Sequence, residues 1–321
     1  MDKYPVISLL SRSKPMVRGL RRWLISIVLF SVFMMWLLPR TAPVLASPIP
    51  PKNPSQAAFE NGVRAYQSGQ LAKAVQAFTV AIEVDPQWAS AYSNRCLAEL
   101  QQELVEQAVA DCTHSLELNP ANPNDYLNRG LAYYRLMQPQ AALANFNQVL
   151  VLTPEDYRAY YNRGLVRFDL KDYEGAIADY NHALTHSPTL SNTRIADIHN
   201  DRAVAYLALN HPQQALADLN QSLQLNQANA RAYFNRACCY HQMGDWDASL
   251  QDYDRLLTTN PNYTQAHFNR AILHQQMGHT QAAIADLSQA AQQFRVLGLS
   301  SHYQQALKLI RHLQMPPFAW G

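Results

Sequence analysis

Residues 157–188 read YRAYYNRGLVRFDLKDYEGAIADYNHALTHSP, and this stretch decides the fold because most of the chain repeats it. Aromatic and small residues recur every three or four residues in both halves, as in Tyr160 and Gly164 or Ala176 and Tyr180. That spacing places them on one face of a helix. Pro188 ends the second half because its ring clashes with a preceding helical turn. The stretch therefore predicts two amphipathic helices joined by a short turn.

The chain repeats this helix pair with a period of 34 residues. Pro86, Pro120, Pro154 and Pro188 stand 34 residues apart, and Pro261 ends a further copy. When positions are numbered 1 to 34 within each copy, position 20 is always alanine or serine and position 8 is always small. The residues at position 8 are Gly62, Cys96, Gly130, Gly164, Ala203, Ala237 and Ala271. A fixed period of this length, with small residues where two helices approach, is typical of helical solenoids.

The 34-residue period, the small residues at positions 8 and 20, aromatics at positions 4, 11 or 24 and proline at position 32 together resemble the tetratricopeptide repeat family. The resemblance implies an all-α, right-handed superhelical solenoid of helix-turn-helix units with a concave groove. It covers seven units, at residues 55–88, 89–122, 123–156, 157–190, 196–229, 230–263 and 264–297. A helix over residues 300–313, opened by a Ser301–Gln304 capping box, is predicted to cap the last unit. Residues 314–321 form a tail.

Five residues are inserted between units four and five, around residues 189–197. Ser191 can cap a helix, and residues 192–209 contain no proline or glycine, so the insert could lengthen the first helix of unit five by more than a turn. We favour a tolerated surface loop, with a protruding contact surface as the alternative.

The first 46 residues differ in character from the rest of the chain. They hold seven of the 26 basic residues and one of the 24 acidic residues, and residues 23–38, WLISIVLFSVFMMWLL, carry no charge. This pattern predicts a bacterial signal peptide that ends at Ala46, with an uncleaved signal anchor as the alternative. Either way the basic flank stays cytoplasmic, and the repeats are expected in the periplasm or a lumen. Residues 47–54, SPIPPKNP, predict an extended linker.

The charge balance bears on the class of partner. Residues 47–321 carry 19 basic and 23 acidic residues, a net charge of −4. Nucleic-acid binding needs clustered Lys and Arg against the phosphates, so this balance argues against it.

An arginine at position 7 recurs together with a partner sixteen residues later at position 23, and unit one lacks both. We interpret each pair as a tie between the two helices of one unit, bidentate where the geometry allows. The predicted ion pairs are Arg95–Asp111, Arg163–Asp179, Arg202–Asp218, Arg236–Asp252 and Arg270–Asp286, and unit three has Arg129 with Asn145.

Asparagine recurs at position 6, as Asn94, Asn128, Asn162, Asn235 and Asn269. This position lies on the side of the first helix opposite positions 4, 8 and 11, and in the tetratricopeptide repeat family that side lines the groove. We predict a ladder of amides that binds the backbone of an extended partner peptide. Flanking contributions are expected from Tyr161, Phe234 and Phe268 at position 5 and from Arg158 and Arg231 at position 2. The alternative is that the asparagines serve local packing only.

Other candidate chemistry is weaker. Cys96 and Cys112 each lie on the side of their helix that faces the partner helix of unit two. They either form a disulfide, in an oxidising compartment, or remain two small buried thiols. His182 and His186 have the spacing of metal ligands, but no third ligand is evident. The sequence carries no phosphate-binding loop, nucleophile elbow or catalytic carboxylate pair. We predict no metal, no cofactor and no enzyme activity.

These features together predict a non-enzymatic scaffold that binds a protein partner, with an extended peptide segment as the preferred ligand and assembly or secretion as the process. One alternative is a structural or homo-oligomeric subunit that uses edge or convex-face contacts. Another is a small-ligand receptor or an enzyme, which would need a convergent polar pocket.

Overall fold

A computed structural model describes residues 53–186 and 190–315. The predicted signal segment, most of the linker, the first residue of the insert and residues 316–321 of the tail lie outside the described residues.

The described residues form fifteen α-helices and no strand, so the predicted all-α solenoid is confirmed. Successive helices pack as antiparallel pairs, one pair per unit, and α15 follows the seventh pair. The helices are α1 (Pro54–Gln67), α2 (Leu71–Val84), α3 (Ala89–Gln101), α4 (Val105–Leu118), α5 (Pro123–Arg135), α6 (Pro139–Leu152), α7 (Tyr157–Asp169), α8 (Tyr173–Thr185), α9 (Asn192–Ala208), α10 (Pro212–Leu225), α11 (Ala230–Met243), α12 (Trp246–Thr259), α13 (Thr264–Gln276), α14 (Thr280–Val296) and α15 (Ser300–Gln314).

Local sequence signals start many of these helices. The side chains of Asn122, Asp156 and Asn229, each the last residue of a unit, accept hydrogen bonds from backbone N–H groups at the start of the next first helix. Pro123 and Pro139 occupy the first helical position, where no intrahelical N–H bond is lost. Helix α1 begins at Pro54, so the predicted linker ends one residue earlier than expected.

The turn between the two helices of a unit has the same left-handed residue every time. Position 15 has φ between 58° and 81° in all seven units, and the residues there are Gly69, Glu103, Met137, Lys171, Asn210, Gly244 and Gly278. Only glycine adopts this conformation without a steric penalty. Four units therefore close their turn with a side chain that the backbone disfavours.

The two helices of a unit interlock through positions 8 and 24. In unit three a Cβ on Gly130 would lie 2.7 Å from the Phe146 ring, so the ring rests directly on the glycine backbone. Gly164 and Tyr180 make the same contact in unit four. In unit two these positions hold Cys96 and Cys112, which form a disulfide. The sequence left open either a disulfide or two buried thiols, and the structure has the disulfide.

The insert is helical where it is described. Helix α9 has 17 residues against 13 in α7, because it begins at Asn192, a full turn before position 1 of unit five. Ser191 is the residue before the helix, but its side chain makes no capping hydrogen bond. The five additional residues thus add a turn to a first helix and do not form only a loop.

Helix α15 covers the end of the solenoid. Its Ala306 and Leu309 are buried against Leu287 and Phe294 of α14. The predicted Ser301–Gln304 capping box is wrong, since the helix begins at Ser300 and no side chain caps it. Apolar packing, rather than a polar cap, fixes this helix on the last unit.

Candidate partner-binding surface

Bidentate ion pairs join the two helices of five units. In unit four, Arg163 Nε donates to Asp179 Oδ2 (2.9 Å) and Arg163 Nη2 donates to Asp179 Oδ1 (2.6 Å). The same two bonds form in the Arg95–Asp111, Arg202–Asp218, Arg236–Asp252 and Arg270–Asp286 pairs. In unit three, Arg129 Nε donates to Asn145 Oδ1 (2.9 Å). These arginines are engaged within the scaffold, so they do not supply charge to a partner.

The third nitrogen of each guanidinium reaches back to the preceding unit. Arg163 Nη1 donates to Asn147 Oδ1 (2.7 Å), sixteen residues earlier. In unit five the insert lengthens this separation to 21 residues, and Arg202 Nη1 donates to Asn181 Oδ1 (2.6 Å). The other acceptors at this position, which is position 25 of the preceding unit, are Thr79, Thr113, Asn220 and Asp254. One arginine thus ties together three helices from two units.

The inner surface, defined here as the side of the seven first helices that carries positions 2, 5, 6 and 9, is continuous between units. Arg158 Nη2 donates to Asn124 Oδ1 (3.0 Å), which joins position 2 of units four and three. Asn235 Nδ2 donates to Asn200 Oδ1 (2.9 Å), which joins units six and five. Side chains from neighbouring first helices therefore meet on one face.

Four of the five predicted rungs are half-buried on this surface; Asn235 is one of them and donates to Asn200, and the other three lie in consecutive units. Asn94, Asn128 and Asn162 are half-buried. Asn94 Nδ2 donates to Ser90 O (2.8 Å) and Asn162 Nδ2 donates to Arg158 O (2.7 Å), each within its own helix. Asn128 makes no hydrogen bond with another described residue. The Oδ1 atoms of all three remain available as acceptors.

Three of the predicted groove residues of units six and seven are buried. Phe234, Phe268 and Asn269 are 4%, 0% and 1% exposed, so the expectation that they line an open groove is wrong. Phe234 stacks on Tyr263, and Phe268 packs edge-on against Phe294 of α14. These positions belong to the core because aromatic side chains from the adjoining helices and turns cover them.

Units four to six share a charged network where the ladder is interrupted. Position 6 of unit five is Asp201, which is 4% exposed. It accepts hydrogen bonds from Tyr161 Oη (2.8 Å) and from Arg231 Nη2. Arg158 is likewise paired, with Asp156 (2.7 Å). Tyr161, Arg158 and Arg231 therefore face the inner surface with their polar groups already engaged.

Unit two holds a buried carboxyl group that the sequence analysis did not single out. Glu99, at position 11, is 6% exposed, and its Oε2 has no hydrogen-bond partner among the described residues. Burial and the neighbouring carboxylate of Asp111 raise its pKa to about 8. Arg95 Nε is 4.0 Å from Glu99 Oε1 and is bound to Asp111. The only sequence signal was an acidic residue at a position that is alanine, tyrosine, arginine or histidine in the other units.

The described part of the chain holds no group of three or more His, Cys, Asp or Glu side chains that could bind a metal ion. Within residues 53–186 and 190–315, no helix is both long and apolar enough to cross a membrane.

Family models bear directly on the repeat architecture. Models described as tetratricopeptide repeat match residues 59–123, 127–190 and 200–264, and a further one matches residues 238–312. The chain belongs to the tetratricopeptide repeat family. These repeats mediate protein–protein interactions, and the family is generally non-enzymatic. No curated protein matches the chain over its sequence.

Solved structures of tetratricopeptide repeat proteins share the fold. A tetratricopeptide repeat protein from Parabacteroides merdae ATCC 43184 has a TM-score of 0.62 at 18% identity, over 79% of this chain and 98% of that one. PilF of Pseudomonas aeruginosa has a TM-score of 0.57 at 21% identity, over 68% and 95%. A chain of the APC/C hetero-tetramer Cut9–Hcn1 has a TM-score of 0.58 at 20% identity, over 66% and 41%.

Proposed function

We propose that this tetratricopeptide repeat protein binds an extended segment of a protein partner along the inner surface of units two to four. The observation that carries the proposal is the row of Asn94, Asn128 and Asn162, which recur every 34 residues with open acceptor atoms. An amide is both a donor and an acceptor, so it can pair with the N–H and C=O groups of any peptide backbone.

The spacing of the rungs suits a peptide in extended conformation. Packed helices lie about 8–10 Å apart, and three residues of an extended chain span about 10 Å. Successive asparagines would then contact every third residue of the partner. Leu97 and Leu131, half-buried at position 9 beside the rungs, offer apolar contacts for the side chains in between. Such binding depends mainly on the extended backbone conformation of the partner and less on the size of its side chains.

The network of units four to six marks the end of the binding track. Tyr161 and Arg231 already donate hydrogen bonds to Asp201, and a peptide would have to break those bonds to continue. Beyond them the equivalent aromatic positions are buried. The ligand is therefore a short segment, held by the N-terminal half of the solenoid.

We also propose that the repeats act after export from the cytoplasm, in assembly or secretion. Two observations support this: the charge-free residues 23–38 that follow a basic lead, and the disulfide between Cys96 and Cys112. Structural disulfides persist in oxidising compartments and are rare in the cytosol. A fusion of residues 1–46 to a reporter that is active only outside the cytoplasm should be active, and an inactive fusion would contradict export.

The binding proposal is tested with a random-peptide display library panned against the wild-type repeats. Selected peptides should lose at least tenfold in affinity for an Asn94→Ala/Asn128→Ala/Asn162→Ala variant. The reason is that each lost hydrogen bond costs about 0.5–1.5 kcal/mol, and 1.4 kcal/mol corresponds to a factor of ten. Fluorescence anisotropy with labelled peptides measures the change.

A matched control removes the same number of amides elsewhere. Gln221, Gln224 and Gln251 are exposed on the second helices α10 and α12. Their replacement by alanine should leave peptide affinity unchanged, and both variants should melt at the wild-type temperature. Equal affinities of the selected peptides for both variants would show that the asparagines do not form the binding site.

A further inference from the structure

Unit two fills its interhelical contact in a way that no other unit does. In units one, three and four, glycine at position 8 lies under an aromatic ring at position 24, as Gly130 does under Phe146. In unit two the same two positions hold the Cys96–Cys112 disulfide, and both residues are fully buried. The covalent bond stands where a ring would otherwise fill the space between α3 and α4.

Unit two also carries a destabilising group next to that bond. The buried carboxyl of Glu99 lies beside Asp111, which directly precedes Cys112 in α4. Its Oε2 has no hydrogen-bond partner among the described residues, and a buried polar atom without a partner destabilises the fold. Position 11 is tyrosine, arginine or histidine in units three to seven, so this cost falls on unit two. The cross-link offsets it by restricting the unfolded chain.

Unit one depends on unit two for its packing. Its Phe78 packs with Ala98 of α3, and its Ala81 and Ile82 pack with Ala91 of the same helix. Each unit of a solenoid contacts only its neighbours, so an end unit loses its support when the adjacent unit opens. The described solenoid has no unit before α1 that could compensate.

We propose that the Cys96–Cys112 bond is a redox-sensitive lock on the N-terminal end of the solenoid. A dithiol reductant opens units one and two, while units three to seven stay folded. In the reaction the Sγ–Sγ bond breaks and each sulfur takes up one proton and one electron. The reductant gives up two electrons and two protons and becomes a disulfide. Because both sulfurs are buried, attack follows local opening of unit two.

Opening of unit two would remove Asn94 from the inner surface and leave Asn128 and Asn162 in place. The lock therefore adds redox control to the N-terminal rung of the proposed binding track, although its test does not depend on any partner.

The test is hydrogen exchange of the repeat protein, read by mass spectrometry, with and without dithiothreitol. Amides of α1–α4 should exchange at least tenfold faster after reduction, while those of α6–α15 should change by less than twofold; α5, whose Ala132 packs on the disulfide, is the boundary. Denatured alkylation verifies each state: two thiols, Cys238 and Cys239, react in the oxidised protein and four react in the reduced one.

Two variants make the outcome decisive. Cys96→Gly/Cys112→Phe installs the pair found at Gly130 and Phe146, so its exchange should match the oxidised wild type and ignore dithiothreitol. Cys96→Ser/Cys112→Ser should match the reduced wild type. The proposal is overturned if α1–α4 stay protected after verified reduction, if all fifteen helices lose protection together, or if the Gly/Phe variant is unprotected without reductant.

Discussion

At the scale of single residues, the arginine at position 7 shows how one side chain holds both a unit and its neighbour. Arg163 makes two bonds to Asp179 and a third to Asn147 of the preceding unit. Asp179 is 1% exposed and also accepts from Arg167 Nη1 (2.9 Å). A planar guanidinium with five donors can serve such divergent acceptors, whereas lysine cannot reproduce the fork. The polar network therefore fixes the register between units as well as within them.

Glu99 is the residue whose ionisation opposes folding. Its pKa is raised to about 8 in the folded protein, from 4.5 for the ordinary group. The unfolded chain therefore releases this proton at lower pH than the folded protein does. Wild-type stability is unaffected by Glu99 below pH about 4.5, falls as the pH rises from there to about 8, and stays level above that.

Replacement of Glu99 by glutamine should remove this loss. We expect Glu99→Gln to be more stable than wild type by about 1–3 kcal/mol at pH 8, with the difference shrinking towards zero near pH 4.5. Urea unfolding measured across that range checks the result. Glu106→Gln, at an exposed site in the same unit, is the control and should leave the pH profile unchanged. A constant difference across the range would mean that Glu99 is ionised in the folded state.

At the scale of the helix pair, the turn residue at position 15 is a local weakness of four units. Met137 has φ of 58° and a side chain that is 75% exposed, so it meets the steric penalty without contributing packing. A left-handed conformation costs an L-residue roughly 1–2 kcal/mol. Glycine avoids this cost but loses more conformational entropy on folding, so the net gain from glycine is smaller.

Met137→Gly should therefore stabilise the protein, by about 0.5–1 kcal/mol. Thermal or urea unfolding measures the change. The matched control is Ala144→Gly at an exposed position inside α6, which should destabilise by about 1 kcal/mol because the backbone there is helical. Destabilisation by both substitutions would show that the turn tolerates methionine without strain.

At the scale of the whole molecule, the two halves of the inner surface differ. The asparagines at position 6 of units two, three, four and six are half-buried, whereas Asn269 of unit seven and the position-5 phenylalanines of units six and seven are buried. The division falls at unit five, where Asp201 and the longer α9 interrupt the repeat. The C-terminal half thus serves as a packed support, and the N-terminal half carries the accessible groups.

The terminal helix decides whether the solenoid end is exposed to solvent. Deletion of residues 299–321 would uncover Leu287 and Phe294, which are 0% and 1% exposed. Exposed apolar surface at a solenoid end promotes association. We expect a lower melting temperature and a rise of mean mass with concentration in light scattering. Deletion of residues 316–321 alone is the control. Identical behaviour of both deletions would mean that α15 is not the cap.

Much of this architecture is readable from the sequence because each unit repeats the same local rules. The 34-residue period and the small residues at position 8 predict the helix pairs, and the joint presence of arginine and its partner sixteen residues later predicts the ion pairs. Helical spacing and residue size act over a few turns, so a single unit contains all the information needed.

The tertiary structure alone decided which of the repeated positions face solvent. Asn128 and Asn269 occupy the same position in the repeat, yet the first is accessible and the second is buried. Their surroundings differ because the large side chains that cover Phe268 and Asn269 come from other helices and turns. The same holds for Glu99, whose pKa depends on Asp111 in the facing helix. The sequence by itself determined the repeat and its internal ties, since these depend on local spacing, while accessibility and charge state depend on packing between elements distant in the chain.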